Sequence, residues 1–548
     1  TTLTREEILN TLEQIRHIII HQHNGLFLHM ISNLISKIEV FGLHFASLDI
    51  RQESSVHARL MEALAAIKQV LPSNYESLPD EEKINLLAAI NNTVEPAQLA
   101  DPVHQDTIKT ITAIKDIQQY NGPNGCNRYI ISQCRSALNA MEVYGLFLLG
   151  GWKKEELNID IVPLFETIDD LEEAAAVMET LYRHSTYKDH LQRRSNTQTI
   201  MLGFSDGTKD GGYLMANWSI YKAKEELTKV SRQYGIDVVF FDGRGGPPSR
   251  GGGKTHKFYA SMGHNIANKE IQLTIQGQTV SSNFGTVDSA QYNIEQLLNA
   301  GITNDLFSTR NLTMTENEEV LLEQLSEAGF QSYKKLKDHP YLADYLLQAS
   351  PLRFYSETNI GSRPSKRGVA SGLSLKDLRA VPFAGSWSQL KQNVTGYFGV
   401  GSALKQMEAV GKFPAFQKLY RESLFFKTLL DNCEMAMMKS FFPLTSFLSQ
   451  HKQFGEIWQM IYEEFELTKQ YLGKLSGHSE LMADYPVEQL SIQMRERIVL
   501  PLVTIQQYAL TKIREMEEQL VQAPVKENYE KLVMRCSFGI INAGRNSA

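Results

Sequence analysis

Six short apolar runs, each ending in polar or charged residues, constrain the fold of this chain more than any other feature. They are FASLDIRQE (45–53), RYIISQ (128–133), DIVPLFET (160–167), TIMLGFSDG (199–207), DVVFFDGRG (237–245) and QLTIQGQ (272–278). Each central run is too short and too apolar for an exposed helix, so buried parallel strands are predicted. Segments of helical character follow several of them, at 169–184, 216–235 and 289–301. The steps from Glu166 to Asp206 to Asp242 to Gln276 are 40, 36 and 34 residues, a length that suits one strand, one helix and a return. Strands alternating with helices predict a parallel sheet with crossovers. A succession of such units predicts a β/α barrel, whose active groups sit at the C-terminal strand ends. A doubly wound open sheet is the alternative, but it calls for G-x-G-x-x-G after an early strand, and none is found there.

The opening 40 residues are predicted to be a helical lead-in. Residues 41–400 are predicted to carry the barrel strands, crossover helices and active-site loops. Beyond about 400 the strands give way to apolar residues recurring at three and four, a C-terminal helical region over 401–548. Two or three ordinary domains, or one large barrel with additions, fit 548 residues. A net charge of −7, from 55 basic and 62 acidic residues, argues against a nucleic-acid binder. No apolar run reaches bilayer-spanning length. The start, TTLTREEILNTLEQ, has no signal-peptide pattern and opens inside a helix without a Met, so a piece of a longer protein is expected. Cys126, Cys134, Cys433 and Cys536 show no C-x-x-C spacing, which points to free thiols in a reducing cytoplasm rather than to zinc.

The strand ends carry the chemistry. Residues 238–256, VVFFDGRGGPPSRGGGKTH, run from apolar residues into a loop with six glycines, two arginines and a lysine. Gly253-Lys254-Thr255 imitates the end of a nucleotide-binding P-loop, but Pro248 stands where that motif needs a glycine. Arginines on such a loop suit a planar anion, carboxylate or phosphate. Asp49, Arg51, Glu53, Glu166, Asp206, Lys209, Asp210, Asp242, Arg244 and Arg250 all follow strands, and a barrel would bring them to one mouth. Asp169, Asp170 and Asp210 have the placement of helix caps. Glu166 and Asp206 are hard oxygen donors suited to Mg²⁺ or Mn²⁺, with salt bridging to arginine as the alternative. A second basic segment, GSRPSKRGVASGLSLKDLRAVPFAGSWSQ (361–389), holds Arg363, Lys366, Arg367 and Arg379. A metal with several arginines implies positioning and charge stabilisation of a phosphorylated substrate.

LDIRQES (48–54), PLFETIDDL (163–171), MLGFSDGTKDGGYLMANW (201–218), FDGRGGPPSRGGG (241–253), LTIQGQ (273–278), GSRPSKR (361–367) and LRAVPF (378–383) together resemble phosphoenolpyruvate carboxylase, in that order. The resemblance runs down to the closing GIINAGRNSA. It implies a β/α barrel embedded in many helices, usually in a cytoplasmic homotetramer. It implies a biotin-independent reaction in which phosphoenolpyruvate and bicarbonate give oxaloacetate and phosphate, with Mg²⁺ or Mn²⁺. By the resemblance Glu166 and Asp206 are metal ligands, and Arg51, Arg244, Arg363 and Arg379 hold phosphoenolpyruvate at the mouth. Arg250 and Lys209 stand near bicarbonate or carboxyphosphate. Lys439, Arg495, Asn546 and Arg250 match an inhibitor pocket for aspartate or malate.

Two departures are visible. Asp242 occupies the place of a family histidine that is a candidate proton or CO₂ handler, and an aspartate is usually anionic at neutral pH. The family's early T-A-H-P-T-E segment, with a catalytic histidine on the first barrel strand, is not found. The chain is therefore expected to be a C-terminal portion, with its barrel incomplete at the first strand and little activity alone. A magnesium-dependent phosphotransfer barrel acting on phosphoenolpyruvate or pyruvate, and a catalytically degenerate regulatory relative, are the alternatives.

Overall fold

The computed structural model describes residues 3–67, 70–306, 314–357, 375, 378–519 and 524–545. Arg363, Lys366, Arg367 and Asn546, singled out above, lie outside them. In chain order the elements are α1 (Arg5–Gln22), α2 (Leu28–Phe41), β1 (Asp49–Glu53), α3 (Ser54–Ala65), α4 (Asp80–Ala88), α5 (Pro102–Asn121), β2 (Arg128–Ser132), α6 (Ala137–Leu149) and β3 (Asp160–Phe165). Then come α7 (Ile168–Arg183), α8 (Ser185–Arg193), β4 (Thr197–Leu202), α9 (Phe204–Gln233), β5 (Asp237–Gly245), α10 (Thr255–Ala260), β6 (Ile271–Ile275), α11 (Gln278–Phe284) and α12 (Val287–Leu306). The rest is helical: α13 (Glu316–Lys337), α14 (Leu342–Ala349), α15 (Ala380–Gln389), α16 (Val400–Ala409), α17 (Phe413–Glu422), α18 (Leu424–Met438), α19 (Gly455–Ser476), α20 (Pro486–Glu518) and α21 (Pro524–Gly544).

Each of the six apolar runs forms a strand, and the strands lie in one sheet in the order β1-β2-β3-β4-β5-β6. The pairing is parallel, with Asp49 opposite Arg128, Arg128 opposite Asp160 and Phe240 opposite Ile271. Sequential parallel order with helical crossovers is the order of a β/α barrel, here with six strands among the described residues. After β1, the strands from β2 to β5 are almost wholly buried, which is why they read as continuous apolar runs rather than as alternation. β6 is only half-buried along its length. Among the described residues it is the last strand, ending at Ile275.

By contacts the chain divides into two units. The first is Thr1–Phe165, Ala176–Met201 and Ser231–Val238. Its core is built on α6, buried on all sides from Ala140 to Leu149, which explains a helix without a polar face. The second is Glu166–Ala175, Leu202–Val230 and Val239–Ala548. It carries most of the chemistry-bearing residues. Its helices are capped by local signals: Thr315 and Glu318 form a reciprocal capping box at the start of α13.

Candidate active site

The second unit gathers the loops predicted to be functional. After β3 the chain turns at Glu166 and Thr167 into α7. Asp170 accepts from the backbone N–H groups of Glu166 (3.3 Å) and Thr167 (3.0 Å), while Thr167 Oγ1 accepts from the Asp170 N–H (3.2 Å). This reciprocal pair starts the helix and fixes the turn that carries Glu166, which is buried. Asp210 accepts from the Ile168 N–H at 3.1 Å and from Lys337 Nζ at 2.8 Å. Both aspartates are thus the structural carboxylates the sequence suggested.

Asp206 is not on a strand end. β4 stops at Leu202, the Gly207 N–H donates to the Gly203 carbonyl at 3.1 Å, and Asp206 lies in the first turn of α9. A buried strand leaving the sheet needs immediate partners for its backbone, and a helical turn supplies them. Within α9, Gly212 sits at φ 75° and ψ −175° and breaks the helix in two. A Cβ there would meet the Tyr333 ring at 2.7 Å, so the GG pair is required by both conformation and space. Glu166 and Asp206 come from adjoining backbone: a methyl group placed on Gly207 would stand 3.8 Å from the Glu166 carbonyl. Among the described residues no three His, Cys, Asp or Glu side chains cluster as a closed metal site. Two hard carboxylates with the remaining positions left to water and substrate is a donor set that fits Mg²⁺ or Mn²⁺.

β5 delivers the arginines. Asp242 pairs with Leu273 and Gly245 with Ile275, so one extra residue bulges from β5 between them. A bulge re-aims side chains, and Arg244 sits in it. Its guanidinium is 2% exposed, lies 4.1 Å over the Phe258 ring and donates through Nη2 to the Gly252 carbonyl at 2.9 Å. Nε and Nη1 have no hydrogen-bond partner among the described residues. Burial pushes this guanidinium down to about 10, against the opposing pull of Tyr259, Asp242 and Tyr213. The loop then folds on itself: a Cβ on Gly252 would lie 1.8 Å from the Gly246 carbonyl oxygen. Arg250, 6% exposed, donates to Gln276 Oε1 at 2.7 Å and to Ser205 Oγ at 3.2 Å. Lys209 donates to the Leu378 carbonyl, and Arg379, one residue later, immediately precedes α15. In the first unit, Arg51 lies on β1 with Nη2 3.5 Å from Met201 Sδ.

Asp242 is wholly buried, and its Oδ2 accepts from both Lys224 Nζ (2.6 Å) and Tyr259 Oη (2.5 Å). The sequence reading missed both partners. The signal was present: Tyr221, Lys224, Thr228 and Ser231 form one buried stripe of α9, and a lysine on such a stripe demands an anion. A separate cavity of about 330 Å³ is lined by Lys254, His256, Lys439, Glu488, Arg495 and Arg545, among others. Lys439 donates to the Arg545 carbonyl at 3.4 Å. Burial, with Lys391 and Arg495 nearby, pushes Lys439 down to about 8.

A family model described as phosphoenolpyruvate carboxylase matches residues 1–547. The chain belongs to the phosphoenolpyruvate carboxylase family. It is 31% identical over 566 residues to a phosphoenolpyruvate carboxylase of Corynebacterium glutamicum, covering 99% of this chain and 60% of that relative. A second protein of that name, from a designated strain of the same species, is equally similar. The chain thus spans 60% of the length of these curated relatives. In this phosphoenolpyruvate carboxylase family member the motif order read from sequence and the six-strand order agree. Among the described residues no helix is long and apolar enough to cross a membrane.

Proposed function

We propose that this chain supplies the metal- and arginine-bearing part of a phosphoenolpyruvate carboxylase active site, which forms oxaloacetate and phosphate from phosphoenolpyruvate and bicarbonate. The observation that carries the reading is Arg244, a buried guanidinium with two nitrogens unpartnered among the described residues, in a chain of this family. Such donors are costly to bury unless an anion meets them.

In this reading Glu166 and Asp206 hold a Mg²⁺ or Mn²⁺ ion, which supplies Lewis-acid stabilisation of developing negative charge. Arg244 and Arg379 bind the carboxylate and phosphate groups of phosphoenolpyruvate, a role that the family resemblance also gives to Arg51 and Arg363. Arg250 and Lys209 orient bicarbonate for attack on phosphorus, giving carboxyphosphate and the pyruvate enolate. Carboxyphosphate then yields CO₂, which the enolate captures. The glycine-packed loop excludes water while the guanidinium groups hold the enolate charge. Asp242 takes part by position. Lys439, Arg495 and Asn546, with Arg250, form an inhibitor site for aspartate or malate. The 330 Å³ cavity, which Lys439 and Arg495 line, supports the part of those two residues. A homotetramer, a cytoplasmic location and independence from biotin belong to the same proposal.

The test is an assay of the protein at the length its host makes, with phosphoenolpyruvate and divalent metal, with and without bicarbonate. Equimolar oxaloacetate and phosphate that depend on bicarbonate are expected. Phosphate transfer indifferent to bicarbonate, or no turnover, contradicts the reading.

A further inference from the structure

The base of the arginine loop is held by three side chains, Lys224, Asp242 and Tyr259, and the reaction as proposed assigns no step to Lys224 or Tyr259. Lys224 on α9 is 1% exposed and donates to Asp242 Oδ2 at 2.6 Å. The Tyr259 hydroxyl on α10 donates to the same oxygen at 2.5 Å. The ammonium also lies 4.9, 5.3 and 5.4 Å from the ring centroids of Phe240, Phe258 and Tyr259, so the pair is enclosed by aromatic faces. A buried ion pair in such surroundings is rarely kept for stability alone, since apolar replacements of equal volume serve as well.

Its place in the chain gives it a use. Asp242 is the last residue before the bulge that carries Arg244, and Tyr259 lies just beyond the loop's end at Lys254. The contact therefore closes residues 243–258 into a ring. Phe258, next to Tyr259, is the platform 4.1 Å beneath the Arg244 guanidinium. We infer that Lys224, Asp242 and Tyr259 form a clasp that positions Arg244 and Arg250, and that Lys224 and Tyr259 are positioning residues for the carboxylase site. The inference rests on the carboxylase reading for its kinetic consequences and on geometry alone for the clasp. It also gives Asp242 a use that no histidine at this position would share: a carboxylate accepts from two donors on one oxygen, whereas an imidazole nitrogen accepts from one.

Hydrogen–deuterium exchange of the full-length protein tests it, on peptides covering 243–254. Tyr259→Phe is expected to speed exchange there about tenfold, the factor carried by one charge-assisted hydrogen bond, with α19 peptides unchanged. Lys224→Met should do the same. Adding Asp242→Asn to it should slow exchange back towards the wild type, because the uncompensated carboxylate is removed while its carbonyl oxygen still accepts from Tyr259. In turnover, Tyr259→Phe is expected to raise KM for phosphoenolpyruvate about tenfold while moving kcat less. Wild-type exchange in both single variants, a double variant no better than Lys224→Met, or equal KM overturns the clasp. If the wild-type protein shows no bicarbonate-dependent oxaloacetate, the carboxylase reading fails, and the exchange result still decides the clasp.

Discussion

Arg244 donates to the carbonyl of Gly252 at 2.9 Å, so the first arginine of the loop ties down the loop's own last turn. The side chain proposed to meet the substrate thereby also holds the loop that bears Arg250. Arg244→Lys keeps the charge but loses the planar fork and the stacking on Phe258. It is expected to lower kcat/KM for phosphoenolpyruvate by about 10² to 10³, the range for losing one pre-organised donor to developing charge. Steady-state kinetics of the purified variant check this.

Gly252→Ala tests the packing of the same turn without touching charge. The new Cβ would lie 1.8 Å from the Gly246 carbonyl oxygen, so the loop must open. A loss of about 1–3 kcal/mol in stability is expected, with activity falling further than stability. Denaturant unfolding beside turnover measures both.

How much of this was legible in the sequence depends on what each residue faces. All six strands were readable, because buried parallel strands are short apolar runs whatever their neighbours. Asp170 was readable as a cap, because capping is local, whereas Asp210 meets the Ile168 N–H of a helix start 42 residues back in the sequence. Asp206 was misplaced by one element, since an apolar run continuing into GFSDG does not announce that the helix has begun. The need for glycine at 212 and 252 was invisible: it comes from Tyr333 and from Gly246, and neither follows from spacing. Lys224 was overlooked although its stripe on α9 was there to count.

The capping carboxylate also bears on the metal. Asp170→Ala removes the acceptor of the Glu166 and Thr167 N–H groups and is expected to cost about 0.5–2 kcal/mol. The freed turn should weaken Mn²⁺ binding even though Asp170 is not proposed as a ligand. Metal titration of the variant, compared with its melting temperature, separates the two effects.

Glu142 gives a prediction independent of function. Burial pushes it up to about 7, with Asn139 and Lys83 opposing and Asp80 and Glu62 adding to the rise. Its folded value lies above its unfolded one. Its stabilising share is therefore present below about pH 4.5 and is lost as pH rises through about 7. Glu142→Gln should remove this slope and stabilise the protein at pH 8 by roughly 2–3 kcal/mol. Urea unfolding at pH 5 and pH 8 reads it directly, and an unchanged pH dependence contradicts it.

Lys439 makes the opposite kind of pH test. With its ammonium pushed down to about 8, the group is charged below that pH and neutral above it. Inhibition by aspartate or malate is expected to weaken as pH rises through about 8. Lys439→Met should flatten that dependence. Inhibition curves at pH 7 and pH 9 are the measurement.

The most direct test of the central claim is Mn²⁺ binding by the full-length protein, followed by electron paramagnetic resonance with and without phosphoenolpyruvate. Tight binding in the wild type that phosphoenolpyruvate strengthens, and at least a tenfold loss in both Glu166→Gln and Asp206→Asn, is the predicted result. Equal Mn²⁺ affinity in the wild type and the two variants contradicts it.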